Sequence, residues 1–404
     1  MVAASEQNVE VDETSSARGD ERRALGIAGS AHALHDGYTD LVYVMLPIWQ
    51  AEFGLSYAAL GLLRGLFSGT LATFQIPSGL LAEKLGLARV LAIGTAVAGF
   101  GYCIAGVGAG LPALIVALFV GGLGTSTQHP IASALVARAF SGARSLHALG
   151  IYNFAGDIGK MIVPAAATLL IAVVPWRPAL AFLGALGFLA AAAILALTPR
   201  LPPETPLHDG TAQAAAVGPP HGSGFPLLLS IGVLDSATRM GFLVFLPFLL
   251  TMKGASLQGI GLALTAVFAG GAAGKLVCAF IGARIGAIAT VLLTEGLTSV
   301  GILALLPLPL GPCYALLPVI GIALNGTSSV IYGSVPTLVA SEKRARAFSI
   351  FYTGTIGAGA ISPVLYGFVG DALGVTATLV IIAVIVLATL PLAWALRPAL
   401  AQLR

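Results

Sequence analysis

The sequence predicts an all-α membrane protein: twelve transmembrane helices in two pseudo-symmetric six-helix bundles. Three observations lead there. Of 404 residues, 57% are apolar and 9% charged, against about 25% charged in a soluble domain. Twelve apolar spans can be counted, each near the ~20 residues that a helix needs to cross a bilayer. The two halves of the chain also resemble one another at an offset near 200 residues.

In chain order, residues 1–23 mix Glu6, Glu10, Asp12, Glu13, Asp20 and Glu21 with Arg18, Arg22 and Arg23. This composition predicts a disordered cytoplasmic tail. The apolar run that follows is too long for the core of a signal peptide. The spans fall near 24–50, 57–82, 87–108, 111–138, 146–171 and 176–197, then 225–252, 257–282, 287–306, 312–338, 347–370 and 374–396. The first bundle is 24–197 and the second 225–396. Residues 198–224, rich in Pro, Gly and His, read as a flexible cytoplasmic linker. Residues 397–404 form a short cytoplasmic tail.

Orientation follows from the basic residues. Fourteen of the 20 Lys and Arg fall in the segments on the N-terminal side of the membrane, and only Arg177 and Lys253 on the other. Both termini are therefore expected in the cytoplasm. The Ala and Gly bias fits a bacterium, so the expected location is its inner (plasma) membrane. The net charge of +3 comes without a basic stripe, so nucleic acid is not an expected partner. No phosphate-binding loop with a lysine and hydroxyl is present, which argues against ATP drive. No nucleophile–base constellation suggests an enzyme, and no cofactor is implied. Cys103, Cys278 and Cys313 form no CxxC pair and are expected to be free buried thiols. Nothing in the sequence requires an oligomer, so a monomer is the expectation.

The repeat is specific. At a shift of 200, Leu46-Pro47 meets Leu246-Pro247, Gly54 meets Gly254, Ser56 meets Ser256, and Ala82–Gly86 meets Gly282–Gly286. Further on, Leu135–Ala137 meets Leu338–Ala340 at 203, and Pro164 meets Pro363 at 199. Two like six-helix halves are the mark of a transporter built from parallel repeats, with the substrate site near the bilayer midplane.

Charge at membrane depth is costly and marks function. The first span carries His32, His35, Asp36 and Asp40. Residues three or four apart share a helix face, so His32, Asp36 and Asp40 align. A carboxyl group in a low-dielectric cavity keeps its proton more readily than in water. Asp36 is therefore the candidate proton carrier, assisted by His32 and His35. The plain alternative is an aspartate fixed by hydrogen bonds to neighbouring helices. A soft divalent metal on these residues is the lesser reading, because no Cys joins the cluster and no His-rich loop feeds it.

Elsewhere at depth, Asp157, Asp235 and Glu295 face Arg64, Lys160, Arg239 and Lys275. Depth suggests the pairs Asp40–Arg64, Lys275–Glu295, Asp235–Arg239 and Asp157–Lys160. Lys160 and Arg239 are candidates to hold a carboxylate or phosphonate, with Arg64 half structural. His129, before Pro130, follows the polar run Thr125–Gln128, and Asn325, Thr327, Ser328, Ser329 and Tyr332 occupy the matching place in the second half. Tyr332 aligns with His129 at the shift of 203. Either set could line substrate, or glue helices together. Gly150, Gly156 and Gly159 before Pro164 predict close packing between the halves.

The loop after the second span reads Gly79-Leu-Leu-Ala-Glu83-Lys84-Leu85-Gly86-Leu-Ala-Arg89. It resembles the loop signature of the major facilitator superfamily, with Glu in place of the usual Asp and one of the terminal basic pair kept. The resemblance implies alternating access by two rocking bundles, with Gly79, Glu83, Lys84, Gly86 and Arg89 as a cytoplasmic gate. The fourth span, Gly122-Leu-Gly124-Thr-Ser-Thr-Gln-His129-Pro130, and the fifth, Ile151-Tyr-Asn-Phe-Ala-Gly156-Asp-Ile-Gly159, resemble the fosmidomycin-resistance branch. Asp157 and Lys160 stand where small neutral residues are expected. That branch implies proton-coupled efflux of a small, often anionic drug.

The expected function is therefore proton-coupled export of a small organic anion or drug. Two alternatives stay open: anion uptake or exchange by the same fold, and a non-transporting factor for pigment delivery or membrane assembly. The charged residues at depth argue against the last.

Overall fold

The computed structural model describes residues 2–140, 143–199, 224–339 and 344–401, and every element among them is helical. Residues 200–223 of the expected 198–224 linker, and 402–404 of the expected C-terminal tail, lie outside the described residues. In chain order the helices are α1 (Val2–Phe53), α2 (Tyr57–Leu85), α3 (Leu87–Val107), α4 (Gly110–Thr125), α5 (Gln128–Ala139), α6 (Ala143–Ile171) and α7 (Trp176–Leu197). They continue with α8 (Gly224–Met252), α9 (Leu257–Ile285), α10 (Ala287–Leu305), α11 (Leu310–Leu338), α12 (Arg344–Val386) and α13 (Thr389–Ala401).

These helices correspond to the predicted spans in ways the sequence explains. α4 and α5 are one span, broken around Ser126–Thr127, because Pro130 has no N–H to return to the preceding turn. α12 holds two spans, parted at Gly374 with φ 81°, a backbone conformation open to glycine. α1 runs on towards the N-terminus as far as Val2, so the residues expected as a tail continue the helix. Residues 2–23 contain no proline to stop it. Nine described stretches are long and apolar enough to cross a membrane. A 29-residue helix such as α8 reaches about 43 Å at about 1.5 Å per residue, ample for a hydrocarbon core of about 30 Å.

The repeat seen in the sequence is a repeat of backbone devices. Gly54 and Gly254 both hold positive φ, 62° and 85°, as do Gly86 and Gly286, 88° and 85°. Ser56 accepts a hydrogen bond from the Ala59 N–H, and Ser256 from the Gly259 N–H, both at 3.2 Å. Each is an N-cap of the helix that follows. The Gly79–Arg89 stretch is thus the end of α2, a glycine turn at Gly86 and the start of α3, with Glu83 and Lys84 on the last turn of α2.

Contacts divide the chain into two compact units: Met1–Thr39 with Thr73–Gly159 and Trp176–His208, and Asp40–Ala72 with Lys160–Pro175 and Asp209–Arg404. This division cuts across α1, α2 and α6 instead of falling at the linker alone. The second unit shows why. Within it, Gly61 and Gly65 of α2 lie against the backbone of Pro363 and Ala360 of α12. The Asp371 carboxylate accepts from the Tyr57 and Ala58 N–H groups at the start of α2, at 2.6 and 3.0 Å. Thr265 of α9 donates to the Met161 carbonyl of α6 at 3.0 Å.

The first unit is assembled through small residues. Gly99 of α3 meets Gly184 and Gly187 of α7, and Gly101 of α3 meets Gly121 of α4. Gly159 of α6 lies directly on the Ala33 backbone of α1. Gly156 and Gly159 do pack closely, but they join α6 to α1 within the first half, where packing between the halves was expected; Gly150 has open space around it. Cys103, Cys278 and Cys313 are free thiols.

We expect Gly159→Ala to lower stability by about 1–3 kcal/mol, the usual cost of overpacking, because the new methyl meets backbone. Gly150→Ala should be neutral or stabilising by up to about 1 kcal/mol, the helix-propensity difference. Thermal unfolding of the two purified variants checks the pair; equal melting temperatures would contradict the packing described.

Candidate functional site

The polar stretch of α1 is buried throughout: His32, His35, Asp36 and Asp40 are all below a tenth exposed. Three elements seat His32, His35 and Asp36 in the first unit, and Asp40 begins the second. α6 crosses α1 so closely that a Cβ on Gly156 would sit 2.7 Å from His32 Nε2 and 2.8 Å from Asp36 Oδ2. α5 brings His129 from just after the break in the fourth span. α3 contributes Thr95.

Around Asp36 the geometry is compact. His32 Nε2 lies 3.3 Å from Asp36 Oδ2, and His129 Nε2 lies 3.8 Å from Asp36 Oδ1. The His32 ring stacks on Tyr152 of α6 at 4.2 Å and meets His129 edge-on at 5.2 Å. His32 Nδ1 lies 2.9 Å from the Tyr152 carbonyl oxygen. A carbonyl only accepts, so Nδ1 carries the hydrogen and Nε2 presents a lone pair in the neutral ring. Nε2 is buried and makes no well-formed hydrogen bond. The His129 side chain is 46% exposed, so the group has one accessible end.

His35 is placed apart from that group. Its Nε2 is 2.9 Å from Thr95 Oγ1, and Thr95 donates its own proton to the Leu91 carbonyl at 2.8 Å. His35 must therefore donate through Nε2, which makes it a bridge between α1 and α3; its Nδ1 is enclosed without a hydrogen-bond partner.

His32, Asp36 and His129 each offer one ligand atom, and the three lie within 4.8 Å of one another. A histidine that donates its other ring N–H to a carbonyl is oriented as metal-bound histidines are, so these residues fit a divalent ion. The set differs from the one weighed in the sequence: His129 replaces His35.

The second unit holds the other charged residues. Arg239 Nη2 is 3.9 Å from Asp235 Oδ2, the expected pair on α8. Arg64 is 3% exposed, and its guanidinium lies over the Tyr43 ring at 4.6 Å. It donates to the Tyr43 hydroxyl at 2.9 Å and to Ser68. Tyr43 in turn donates to the Met240 sulfur at 3.1 Å. Glu295 is brought to Asp235 and Thr327, where the sequence suggested Lys275. Asn325 bonds back to the Gly321 carbonyl at 3.2 Å, above Gly271. Tyr332 packs against Phe351 and Tyr352, its hydroxyl 3.3 Å from Thr355 Oγ1. Both take part in helix packing. Lys160 is half-buried on α6 in the second unit; Asp157, on the same helix, is buried in the first.

Sequence reasoning missed Tyr152, Tyr43 and the Asp235–Glu295 contact. Tyr43 had a signal, since it continues the Asp36–Asp40 face one turn on. Tyr152 had none, because its role is set by which helix crosses α1.

Comparison with known proteins adds the following. The family model described as Major Facilitator Superfamily matches residues 29–229 and 228–402. The fosmidomycin resistance protein of Escherichia coli is 26% identical over 294 residues, 70% of this chain and 72% of that protein. A probable sulfoacetate transporter of Cupriavidus necator is 29% identical over 144 residues, 36% of this chain and 34% of that protein. Among solved structures, a bacterial homologue of the human lysosomal transporter Spinster, inward-facing and unoccupied, superposes with a TM-score of 0.78 at 16% identity. It covers 95% of this chain and 98% of that one. A POT family transporter in complex with 5-aminolevulinic acid gives 0.70 at 13% identity, covering 92% and 95%. These structures share the fold. Two six-span halves with repeated glycine turns, the Gly79–Arg89 loop and a family match over nearly the whole chain lead to one conclusion: the protein belongs to the Major Facilitator Superfamily.

Proposed function

We propose that the protein is a proton-coupled secondary active transporter that exports a small organic anion or drug by alternating access. One observation carries the reading. The lone pair on His32 Nε2 faces the Asp36 carboxyl at 3.3 Å. Two lone pairs at that distance repel, so the pair is at rest only with a cation between them, and the simplest is a proton. A group that is stable loaded and strained empty is suited to bind and release a proton. His129, half exposed beside Asp36, gives the proton a way in or out.

The cations support an anionic substrate. Arg239 is only partly covered, with 19% of its side chain exposed. Its fork can hold a carboxylate, sulfonate or phosphonate. Lys160 adds a second positive charge within the same unit. The sulfoacetate of one relative's name is a small organic anion of this kind. The excess of basic residues on one side supports a reading in which both termini lie in the cytoplasm, at a bacterial inner membrane. The Glu83–Arg89 loop there serves as gate rather than substrate site. In this reading substrate loads from the cytoplasm and protons entering from outside drive its release; the protein works as a monomer.

We expect Asp36→Asn to fold and to lose substrate-driven proton movement in energised inside-out vesicles read with a pH dye. Full coupled transport by that variant would sink the assignment. Gly156→Ala puts a methyl where His32 and Asp36 meet, and should impair coupling in the same assay while Gly150→Ala transports normally. Arg239→Ala should raise KM for a phosphonate or carboxylate substrate about 10–100-fold, matching the ~1.5–3 kcal/mol of a charge-assisted hydrogen bond. An unchanged KM would remove Arg239 from the substrate site.

A further inference from the structure

The group around Asp36 is spaced for a second chemistry. A tetrahedral zinc ion holds imidazole nitrogen at about 2.0–2.1 Å and carboxylate oxygen at about 2.0–2.2 Å, which sets neighbouring ligand atoms about 3.3–3.5 Å apart. His32 Nε2 lies 3.3 Å from Asp36 Oδ2, already at that separation. His129 Nε2 lies 3.8 Å from Asp36 Oδ1, and the three ligand atoms fall within 4.8 Å of one another. A shift of about 1–1.5 Å at His129 would complete the set. That side chain is 46% exposed, so its ring has room to turn.

Independent observations point to a ligand. His32 is 3% exposed, and its Nε2 is enclosed without a hydrogen-bond partner. Its Nδ1 donates to the Tyr152 carbonyl at 2.9 Å, and its ring stacks on Tyr152 at 4.2 Å. A histidine held in this way is fixed in both tautomer and direction, as metal ligands are. α6 presents no side chain to this point: a Cβ at Gly156 would crowd His32 Nε2 at 2.7 Å and Asp36 Oδ2 at 2.8 Å. His35 is not part of the set, because its Nε2 is spent on Thr95. Two imidazoles and one carboxylate suit a borderline ion such as Zn²⁺, whereas Mg²⁺ and Ca²⁺ take oxygen ligands. Three protein ligands leave a fourth position for water.

We propose that His32, Asp36 and His129 form a binding site for one divalent cation of the zinc class, with His32 Nε2, an Asp36 oxygen and His129 Nε2 as its ligands. The Tyr152 carbonyl positions His32, and the exposed His129 is the ligand that closes over the ion. The site stands on this geometry alone. Its consequence for transport rests on the proton reading above: the ion takes the place between His32 and Asp36 that the proton would take, so zinc blocks substrate-driven proton movement.

The test is a zinc titration of the full-length protein in lipid nanodiscs, with any purification tag removed, against a chromophoric chelator. The wild type should bind zinc, and His129→Ala should weaken that binding by at least the ~10–100-fold that even an outer-shell partner is worth. His129→Cys should restore it, because a thiolate is also a zinc ligand. His129 is half exposed, so both variants should fold. X-ray absorption at the zinc edge should show only nitrogen and oxygen ligands in the wild type, and one sulfur in His129→Cys. A wild type that binds no zinc, equal binding by His129→Ala, or sulfur around the wild-type ion would each overturn the proposal. Zinc supplied to both faces of energised vesicles should slow wild-type proton movement over the range in which the site fills. Zinc bound through His129 with proton movement undiminished would keep the metal site and remove Asp36 from coupling.

Discussion

Everything in this protein depends on backbones approaching closely in a medium that gives apolar side chains little reason to associate. Lipid is as apolar as leucine, so helices hold together through packing and hydrogen bonds. The chain meets the constraint with 51 glycines. Gly99 against Gly184, Gly101 against Gly121 and Gly159 against Ala33 each place one backbone on another, where a methyl would collide. The polar groups at depth rest on the same contacts. Tyr152 reaches His32 with its carbonyl because Gly156 and Gly159 let α6 lie on α1.

Hydrogen positions then give nominally similar residues different tasks. His32 and His35 are three apart on one helix, both buried and both near Asp36. His35 spends its hydrogen on Thr95, whose own goes to Leu91, and its Nδ1 is enclosed without a hydrogen-bond partner. His32 spends its hydrogen on Tyr152 and turns a lone pair to Asp36. One ties α1 to α3 and the other faces a carboxyl group, and the distinction lies in the partners rather than the residue type.

The internal repeat sets the frame on which these differences are drawn. Glycine turns at 54 and 254, and at 86 and 286, are reproduced in backbone angle, and the serine caps in distance. The side chains on that frame diverge. The fourth span breaks before Pro130, while its counterpart α11 runs unbroken from Leu310 to Leu338. His129 ends near a carboxylate, and its aligned partner Tyr332 ends among aromatic rings. The duplicated backbone geometry carries histidines beside a carboxyl group in one half and an arginine beside Asp235 in the other.

The sequence by itself determined the class, the repeat and the family. Those properties are local: hydropathy, spacing and turn chemistry act within a few residues, and all are written along the chain. It also marked Asp36, His32, Arg239 and Asp235, since charge at membrane depth is conspicuous in any sequence. Only the tertiary structure decided which of these residues meet. It joined His129 to Asp36, set His35 aside, gave Arg64 to Tyr43 and Glu295 to Asp235, and gathered 40–72 and 160–175 into the second unit. The physical reason is that a helix face has several neighbours at equal depth. Which one it touches is fixed by crossing helices and by glycines that permit approach, neither of which depth along a single helix can specify.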